Sequence, residues 1–200
     1  MDLVLFGRQG SGKGTQGKYF TERYGLMPFV TGDELRKLAK EDSDLGRKIK
    51  TIMEDGHLVP NEVVMEIIEN FMQNLPEGKN VVFDGIPRKM EQADSFNELM
   101  EKLERKFTGV LIEISEDTAL ERLTTRRMCA QCKAIYPAKF EGDKCKECGG
   151  KLEVRTDDTN MESIRNRLDA YRDETMPVIN MYEDQDKIIK LNGEPDIDTV

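Results

Sequence analysis

The feature that most constrains the fold of this chain is a glycine-rich segment, residues 7–15 (GRQGSGKGT), directly after the apolar run 3–6. A strand entering a turn with three spaced glycines and then a helix is typical of a phosphate-binding loop, because glycine lets the backbone approach a polyphosphate. Amides at the helix N-terminus then point at the anion, and Lys13 adds a mobile ammonium group. The usual motif has Ser or Thr after the Lys; here Gly14 stands there and the hydroxyl follows as Thr15. A glycine-rich turn without a ligand is the weaker alternative, since strand, glycines, Lys and helix coincide.

Composition narrows the class of protein. The chain has 200 residues, of which 38% are apolar and 34% charged, enough for one core with small inserted lobes. No apolar run approaches the ~20 residues that span a bilayer, and the run before Gly7 is too short for a signal peptide. We therefore expect a cytoplasmic protein without a membrane partner. The net charge of −9 argues against nucleic acid as a partner and favours a small anionic ligand held by selected basic residues.

The four cysteines form two Cys-x-x-Cys pairs with twelve residues between the pairs: Cys129, Cys132, Cys145 and Cys148. Disulfides are rare in a cytosolic chain, and this spacing matches a tetrahedral Cys₄ zinc site. Because four thiolates leave no open coordination position, the spacing predicts a structural zinc ion and not a catalytic one.

Alternating apolar and amphipathic segments predict an α/β fold, a five-stranded parallel sheet flanked by helices. The predicted strands are residues 3–6, 27–30, 81–84, 109–114 and 187–191. The predicted helices are residues 13–24, 61–71, 89–103, 117–127 and 161–183. Ligands of such sheets bind at the carboxyl ends of the strands. Two segments interrupt the alternation: a polar, mostly helical insertion at 31–60, and a longer insertion at 126–158 that contains the cysteines.

Several motifs in this order resemble the adenylate kinase family, in its form with a long zinc-bearing lid. The resemblance covers essentially the whole chain. It rests on the loop at 7–15, TGDELR at 31–36, GHLVP at 56–60, DGIPR at 84–88 followed by Gln92, RRMC at 126–129, RTDD at 155–158 and RLDAYRDETMP at 167–177.

This resemblance implies a P-loop kinase that transfers the terminal phosphoryl group of ATP to AMP reversibly, giving two ADP, with Mg²⁺ bound to ATP. It implies a core of residues 1–30, 61–125 and 159–200, an AMP-binding lobe at 31–60 and a zinc-bearing lid at 126–158. The partners would be ATP, AMP and ADP, and we expect a monomer. Another nucleoside monophosphate kinase, for UMP/CMP or GTP-dependent, is the alternative within this class.

The resemblance also implies roles for single residues. The catalytic set would be Lys13, Arg88, Arg126, Arg155 and Arg167. The ATP site would comprise Gly10, Ser11, Gly12, Lys13, Gly14, Thr15, Arg122, Arg126, Ile135 and Tyr136. The AMP site would comprise Thr31, Arg36, His57, Leu58, Val59, Gly85, Ile86, Pro87, Arg88, Gln92, Arg155 and Arg167. Asp84, at a strand end, would orient water ligands of Mg²⁺.

Some assignments have alternatives at this stage. Asp84 could cap the following helix, and Tyr136 could simply pack inside the zinc lobe. Arg165 competes with Arg167, because the spacing from Asp158 is one residue longer than expected; the downstream pattern favours Arg167. Gln9 stands where the family usually has Pro, which removes a restraint on the loop.

The end of the chain and the class of function also have alternatives. Residues 195–200 are expected to start a helix that continues further in the family, so the chain could be truncated after Val200. Of two rival classes, a zinc-ribbon binding module fits the acidic charge and the arginine set less well. A nucleotide-binding regulator without turnover is disfavoured because nothing that transfer requires is missing from the sequence.

Overall fold

A parallel five-stranded sheet forms the centre of the protein, for which the computed structural model describes residues 1–155, 158–195 and 199–200. Its strands are β1 (Asp2–Phe6), β2 (Met27–Val30), β3 (Val81–Asp84), β4 (Phe107–Glu113) and β8 (Ile188–Asn192), in the order β2-β3-β1-β4-β8. Strands such as Val81–Asp84 are almost continuously apolar because helices cover both faces of a parallel sheet. The predicted fold class is confirmed.

Helices connect the strands and carry the insertions. They are α1 (Lys13–Tyr24), α2 (Thr31–Leu38), α3 (Asp44–Glu54), α4 (Asn61–Gln73), α5 (Met90–Lys102), α6 (Glu116–Thr125), α7 (Met161–Ala170) and α8 (Met176–Glu183). Side-chain oxygens cap several of them: Ser43 accepts from the Gly46 amide at 2.9 Å, and Asn160 accepts from the Glu162 amide at 2.9 Å. No helix in the described part of the chain is both long and apolar enough to cross a membrane.

Two predicted helices differ from the structure at informative points. The helix predicted at 117–127 ends at Thr125, so Arg126 and Arg127 are not helical; Arg126 has extended backbone and Arg127 begins a lid strand. The helix predicted at 161–183 is continuous but contains a π-helical turn at Tyr171–Thr175. Such turns occur often at functional sites, and this one faces the cavity described below.

The lid insertion contains a small antiparallel sheet that the sequence did not predict. Its strands are β5 (Arg127–Cys129), β6 (Ile135–Tyr136) and β7 (Leu152–Glu153), in the order β6-β5-β7. Residues 156–157 of the lid motif, and residues 196–198 of the expected terminal helix start, lie outside the described residues.

A row of aromatic rings fixes helices α5 and α8 against the sheet. Phe29, Phe83, Phe96, Phe107 and Tyr182 follow one another with neighbouring ring centroids 5.1 to 5.7 Å apart. These edge-on and tilted contacts are favourable geometries for aromatic pairs. Within the row, Phe83 stands next to Asp84 at the end of β3 that carries the candidate site.

Candidate active site

The phosphate-binding loop leads from β1 into α1. Gly12 is the N-cap of α1 and has a φ of 97°, a conformation that strains any residue with a Cβ. Lys13 turns back over the loop, and its ammonium group donates hydrogen bonds to the carbonyls of Gly7 and Arg8, the latter at 2.8 Å. Ser11 is buried, and its hydroxyl oxygen lacks a hydrogen-bond partner among the described residues. A cation and an unpaired hydroxyl at a helix N-terminus are suited to an anionic ligand.

The surroundings of Lys13 disfavour its charged form. Burial lowers the pKa of Lys13 to about 8; Asp84 acts in the opposite direction, and Arg88, Arg126 and Arg155 lower it further. Charged Lys13 is thus less favourable here than in water. A bound polyphosphate would offset that cost.

Arg88 lies across the cavity from the phosphate-binding loop. Its guanidinium passes over Gly85, whose carbonyl accepts from Nε at 3.0 Å; a Cβ on Gly85 would lie 2.7 Å from that guanidinium. The backbone of Arg88 is also held, because its amide donates to the Gln92 side chain at 2.9 Å and its carbonyl accepts from the Thr175 hydroxyl at 3.0 Å. Burial, followed by the nearby positive charges, lowers the pKa of Arg88, with Asp84 opposing.

A small cavity of about 30 Å³ separates these two loops. It is lined by Leu5, Phe6, Gly7, Gln9, Lys13, Gly85, Ile86, Pro87, Arg88, Tyr171 and Thr175. The loop that follows β1 and the loop that follows β3 therefore meet at the carboxyl edge of adjacent parallel strands, as sheets of this class require of a ligand site.

Three further arginines approach the cavity from the lid and from α7. Arg126 donates to Asp158 at 2.6 and 3.1 Å, and Arg167 donates to the same carboxylate at 2.6 Å. The Asp158 side chain is fully buried between them. Arg155 lies close enough to lower the pKa values of Lys13, Arg88 and Arg126. Burial is the larger cause of the lowered pKa of Arg126.

Asp84 ends β3 beside the phosphate-binding loop. Its Oδ2 would lie 3.8 Å from a Cβ at Gly14. The next helix, α5, begins at Met90 and has Lys89, not Asp84, as its N-cap. A carboxylate next to the start of α1 fits a group that holds water ligands of a divalent cation.

The predicted AMP-site residues of the 31–60 insertion lie on α2 and in the segment that follows α3. Thr31 is buried, and its hydroxyl oxygen has no hydrogen-bond partner within the described residues. Arg36, one turn on, donates to Asp33 at 2.7 Å and lies against Gly32. His57 is exposed, Leu58 is half-buried and Val59 packs in the core.

Comparison with known proteins bears on this arrangement. A sequence profile described as adenylate kinase matches residues 5–187. The adenylate kinase of Novosphingobium aromaticivorans is 37% identical over 205 residues, covering 100% of this chain and 95% of that protein. Those of Archaeoglobus fulgidus (37% over 206 residues) and Methanosarcina barkeri (38% over 205 residues) each cover 100% of this chain, with 94% of their own length aligned. The chain belongs to the adenylate kinase family. It is a phosphotransferase that acts on a nucleoside monophosphate, and the kinases of this family use Mg²⁺ with ATP.

The structure distinguishes Arg165 from Arg167, the two candidates for one phosphate-binding arginine. Arg167 is buried and bonded to Asp158, whereas Arg165, two residues earlier on α7, is exposed. Positions two apart on a helix face different directions. Arg167 is thus the member of the pair that reaches the site.

Three residues predicted for the ATP side lie at different depths. Arg122 donates to the carbonyls of Gly10, Gly193 and Glu194, at 3.4, 3.0 and 3.0 Å, and so ties the phosphate-binding loop to the chain after β8. Ile135 is exposed on the lid, while Tyr136 is buried inside it. The Tyr136 ring packs on Phe140 at 4.5 Å, so packing within the insertion that contains the cysteines accounts for its side chain.

The four cysteine sulfurs of the lid lie within 4.8 Å of one another. The Cys129–Cys148 and Cys132–Cys145 pairs are 3.4 Å apart, too far for a disulfide and close to the ~3.8 Å between thiolates around tetrahedral zinc with ~2.3 Å bonds. The Tyr136 hydroxyl accepts from the Lys146 amide at 2.7 Å and lies 3.2 Å from the Cys145 sulfur, so its own proton is available to a thiolate. The donor set fits zinc.

Sequence reasoning gave no role to three residues that the structure places at the site. Asp158 and Thr175 were noted only as members of motifs, and Gln9 only as a departure from the family pattern. Asp158 accepts hydrogen bonds from Arg126 and Arg167, and Thr175 donates one to the Arg88 carbonyl. Such contacts are identified only when the distances are known, so no local pattern in the sequence indicated them.

Proposed function

We propose that this chain catalyses the reversible transfer of the terminal phosphoryl group of Mg-bound ATP to AMP, giving two ADP. One observation carries the proposal: Lys13 and Arg88 line a cavity between two loops that follow adjacent strands, and Arg126, Arg155 and Arg167 lie close enough to lower the pKa of one or both. Such a concentration of positive charge is costly without an anion, and transfer between two phosphate groups supplies one.

The chemistry requires positioning and charge stabilisation more than a nucleophilic side chain. The transferred group spreads negative charge over its equatorial oxygens, and guanidinium groups hold such oxygens bidentately. Lys13 would bind the β- and γ-phosphates, and Arg88 and Arg36 would hold the AMP phosphate. Arg126, Arg155 and Arg167 would surround the group in transfer.

The base and sugar of each nucleotide would be held outside this charged centre. Thr31, Gly85, Gln92 and the backbone at 57–59 would shape the AMP pocket. Arg122 and the lid residues Ile135 and Tyr136 would border the ATP site, with Tyr136 contributing through its backbone, since its side chain packs inside the lid.

Magnesium bound to ATP neutralises phosphate charge when present, and Asp84 would hold water ligands of that ion. Zinc, held by the four cysteines, would stabilise the lid without taking part in the reaction. The division into a core, an AMP-binding lobe at 31–60 and a lid at 126–158 stays a prediction. So do the cytoplasmic location, the monomeric state and the absence of nucleic-acid and membrane partners.

The test is a coupled assay of ADP formation from ATP and AMP with Lys13→Met and Arg88→Ala. Loss of a preorganised charge at the reacting group lowers kcat by ~10²–10³. Lys102→Met is the matched control, because Lys102 is an exposed lysine at the end of α5. Near wild-type turnover in both site variants would refute the assignment.

A further inference from the structure

The side chain of Tyr136 joins the small sheet of the lid to the second cysteine pair. Its backbone belongs to β6, which pairs with β5, the strand that ends at Cys129 of the first pair. Its ring is buried, and its hydroxyl oxygen lies 3.2 Å from Sγ of Cys145 in the second pair. The same hydroxyl oxygen lies 2.7 Å from the backbone nitrogen of Lys146. Tyr136 therefore contacts two successive residues at the start of the second pair.

The two hydrogen bonds of this hydroxyl have opposite directions. The Lys146 amide can only donate, so the Tyr136 oxygen accepts there. A tyrosine hydroxyl carries one proton, and that proton is left for the Cys145 sulfur. A cysteine binds a metal as a thiolate, which has no proton to give. With a metal in the cysteine cluster, the second bond can therefore run only from the Tyr136 hydroxyl to the Cys145 thiolate.

Burial explains why this thiolate needs a donor from the protein. Cys132 and Cys148 are exposed, whereas Cys129 and Cys145 are buried. Four thiolates around a divalent ion carry a net negative charge, which water solvates at an exposed sulfur but not at a buried one. A charge-assisted hydrogen bond replaces that solvation. Packing on Phe140 uses only the ring of Tyr136, so it leaves the position of the hydroxyl unexplained.

We propose that Tyr136 is a positioning residue of the zinc site, whose hydroxyl donates a hydrogen bond to the Cys145 thiolate and raises the affinity of the four cysteines for the metal. This inference rests on the proposed structural zinc. Tyr136 makes no bond to the ion and acts through Cys145, as partners of metal ligands commonly do. Because it also accepts from the Lys146 amide, it orients the sulfur and the adjoining backbone together.

The first test measures zinc affinity by competition with a chromophoric chelator. Tyr136→Phe keeps the ring and its packing but removes the hydroxyl, and it should weaken zinc binding about 10- to 100-fold. Tyr24→Phe, at an exposed tyrosine that ends α1, is the matched control and should bind zinc like wild type. A Tyr136→Phe affinity within about threefold of wild type would overturn the proposal. A wild-type chain that binds no zinc would instead refute the zinc site itself.

A spectroscopic test separates the bond to sulfur from the bond to the Lys146 amide. With Co²⁺ in place of zinc, the thiolate-to-metal charge-transfer band reports on the electron density at sulfur. Loss of the donor in Tyr136→Phe should move this band to lower energy. Incorporation of 3-fluorotyrosine at position 136, a stronger donor of nearly the same shape, should move it to higher energy, and this substitution keeps the proposal testable if the Phe variant does not fold. An unmoved band in either cobalt-loaded protein would overturn the proposal.

Discussion

At the scale of single residues, the site holds several positive charges close together, which is unfavourable in free energy unless negative charges balance them. Asp158 is fully buried and is shared by Arg126 and Arg167 at 2.6 Å from each. Asp84 opposes the effect of burial on the pKa values of Lys13 and Arg88. Two carboxylates thus balance part of a charge that a polyphosphate would balance more completely.

Nucleotide affinity should depend on pH through Lys13. Its pKa, about 8, lies below the ordinary 10.5, so the free protein loses this charge as the pH rises through 8. Bound phosphates favour the charged form, so binding above pH 8 takes up a proton, and the affinity for ATP should fall by up to about tenfold per pH unit. Calorimetry from pH 7.5 to 9.5, in buffers of different ionisation enthalpy, measures both effects. Lys13→Met should abolish them; an affinity independent of pH in the wild type would contradict the account.

Asp158→Asn should lower the thermal stability of the free protein more than that of the protein bound to a mimic with two adenosines joined by five phosphates. Removing one partner of a buried ion pair leaves uncompensated charge, at a cost of about 3 kcal/mol. Because added phosphates supply the missing negative charge, the two-adenosine mimic should narrow the difference in thermal stability from wild type. Asp173→Asn, at an exposed ion pair with Arg172, should change little. A difference that is equally large with and without the mimic would count against this role of Asp158.

At the scale of elements, the sequence predicted α1, β2 and β3 with the bounds that the structure has. α1 ends before Gly25 and β3 ends before Gly85, whereas β2 ends where the helical period of α2 begins. The lid strands were missed because β6 and β7 have two residues each, too few to show alternation. The end of α6 was placed two residues late because the stop at Arg126 is set by lid contacts, above all with Asp158.

Local sequence patterns also predicted only part of the candidate site. Motifs located the phosphate-binding loop, the arginines and the cysteines, because these residue types occur at fixed spacing. They did not reveal the π-helical turn, which brings Tyr171 and Thr175 to the cavity. Thr175 in that turn donates to the Arg88 carbonyl, a contact between residues far apart in sequence that a local pattern does not record.

Removing zinc should disorder the lid and spare the sheet. The lid core consists of Cys129, Tyr136, Cys145 and Leu152, with Ala134 and Phe140 packed against them, too little apolar surface to fold unaided. Structural zinc contributes ~10–16 kcal/mol of binding free energy in small zinc peptides. Chelation, or Cys129→Ser with Cys132→Ser, should therefore remove hydrogen-exchange protection mainly within residues 126–155. Restoring zinc to the chelated wild type is the control; unchanged lid protection after proven metal loss would refute a structural role.

At the scale of the whole molecule, the insertions at 126–158 and 31–60 both carry arginines near the candidate site: Arg126 and Arg155 lower the pKa of Lys13, and Arg36 lowers that of Arg88. The insertion at 31–60 packs Leu35, Ile49 and Val59 into the main apolar core, and the insertion at 126–158 is joined to α7 by the buried Asp158–Arg167 ion pair at 2.6 Å. The contact of Lys18 with Glu147 at 2.8 Å is exposed, and such pairs contribute little stability. Because both insertions carry arginines of the predicted site, we expect them to close over substrates, which excludes water and limits hydrolysis of ATP.

The measurement that tests the central claim most directly is ADP formation with ATP as donor and AMP, UMP, CMP or GMP as acceptor. The account predicts rapid turnover with AMP, exceeding the other three by about a hundredfold or more in kcat/KM, because buried polar groups of the acceptor site would be left unpaired by another base. Lys13→Met gives the baseline. Turnover of UMP or CMP as fast as AMP, or no ADP from AMP at all, would contradict it.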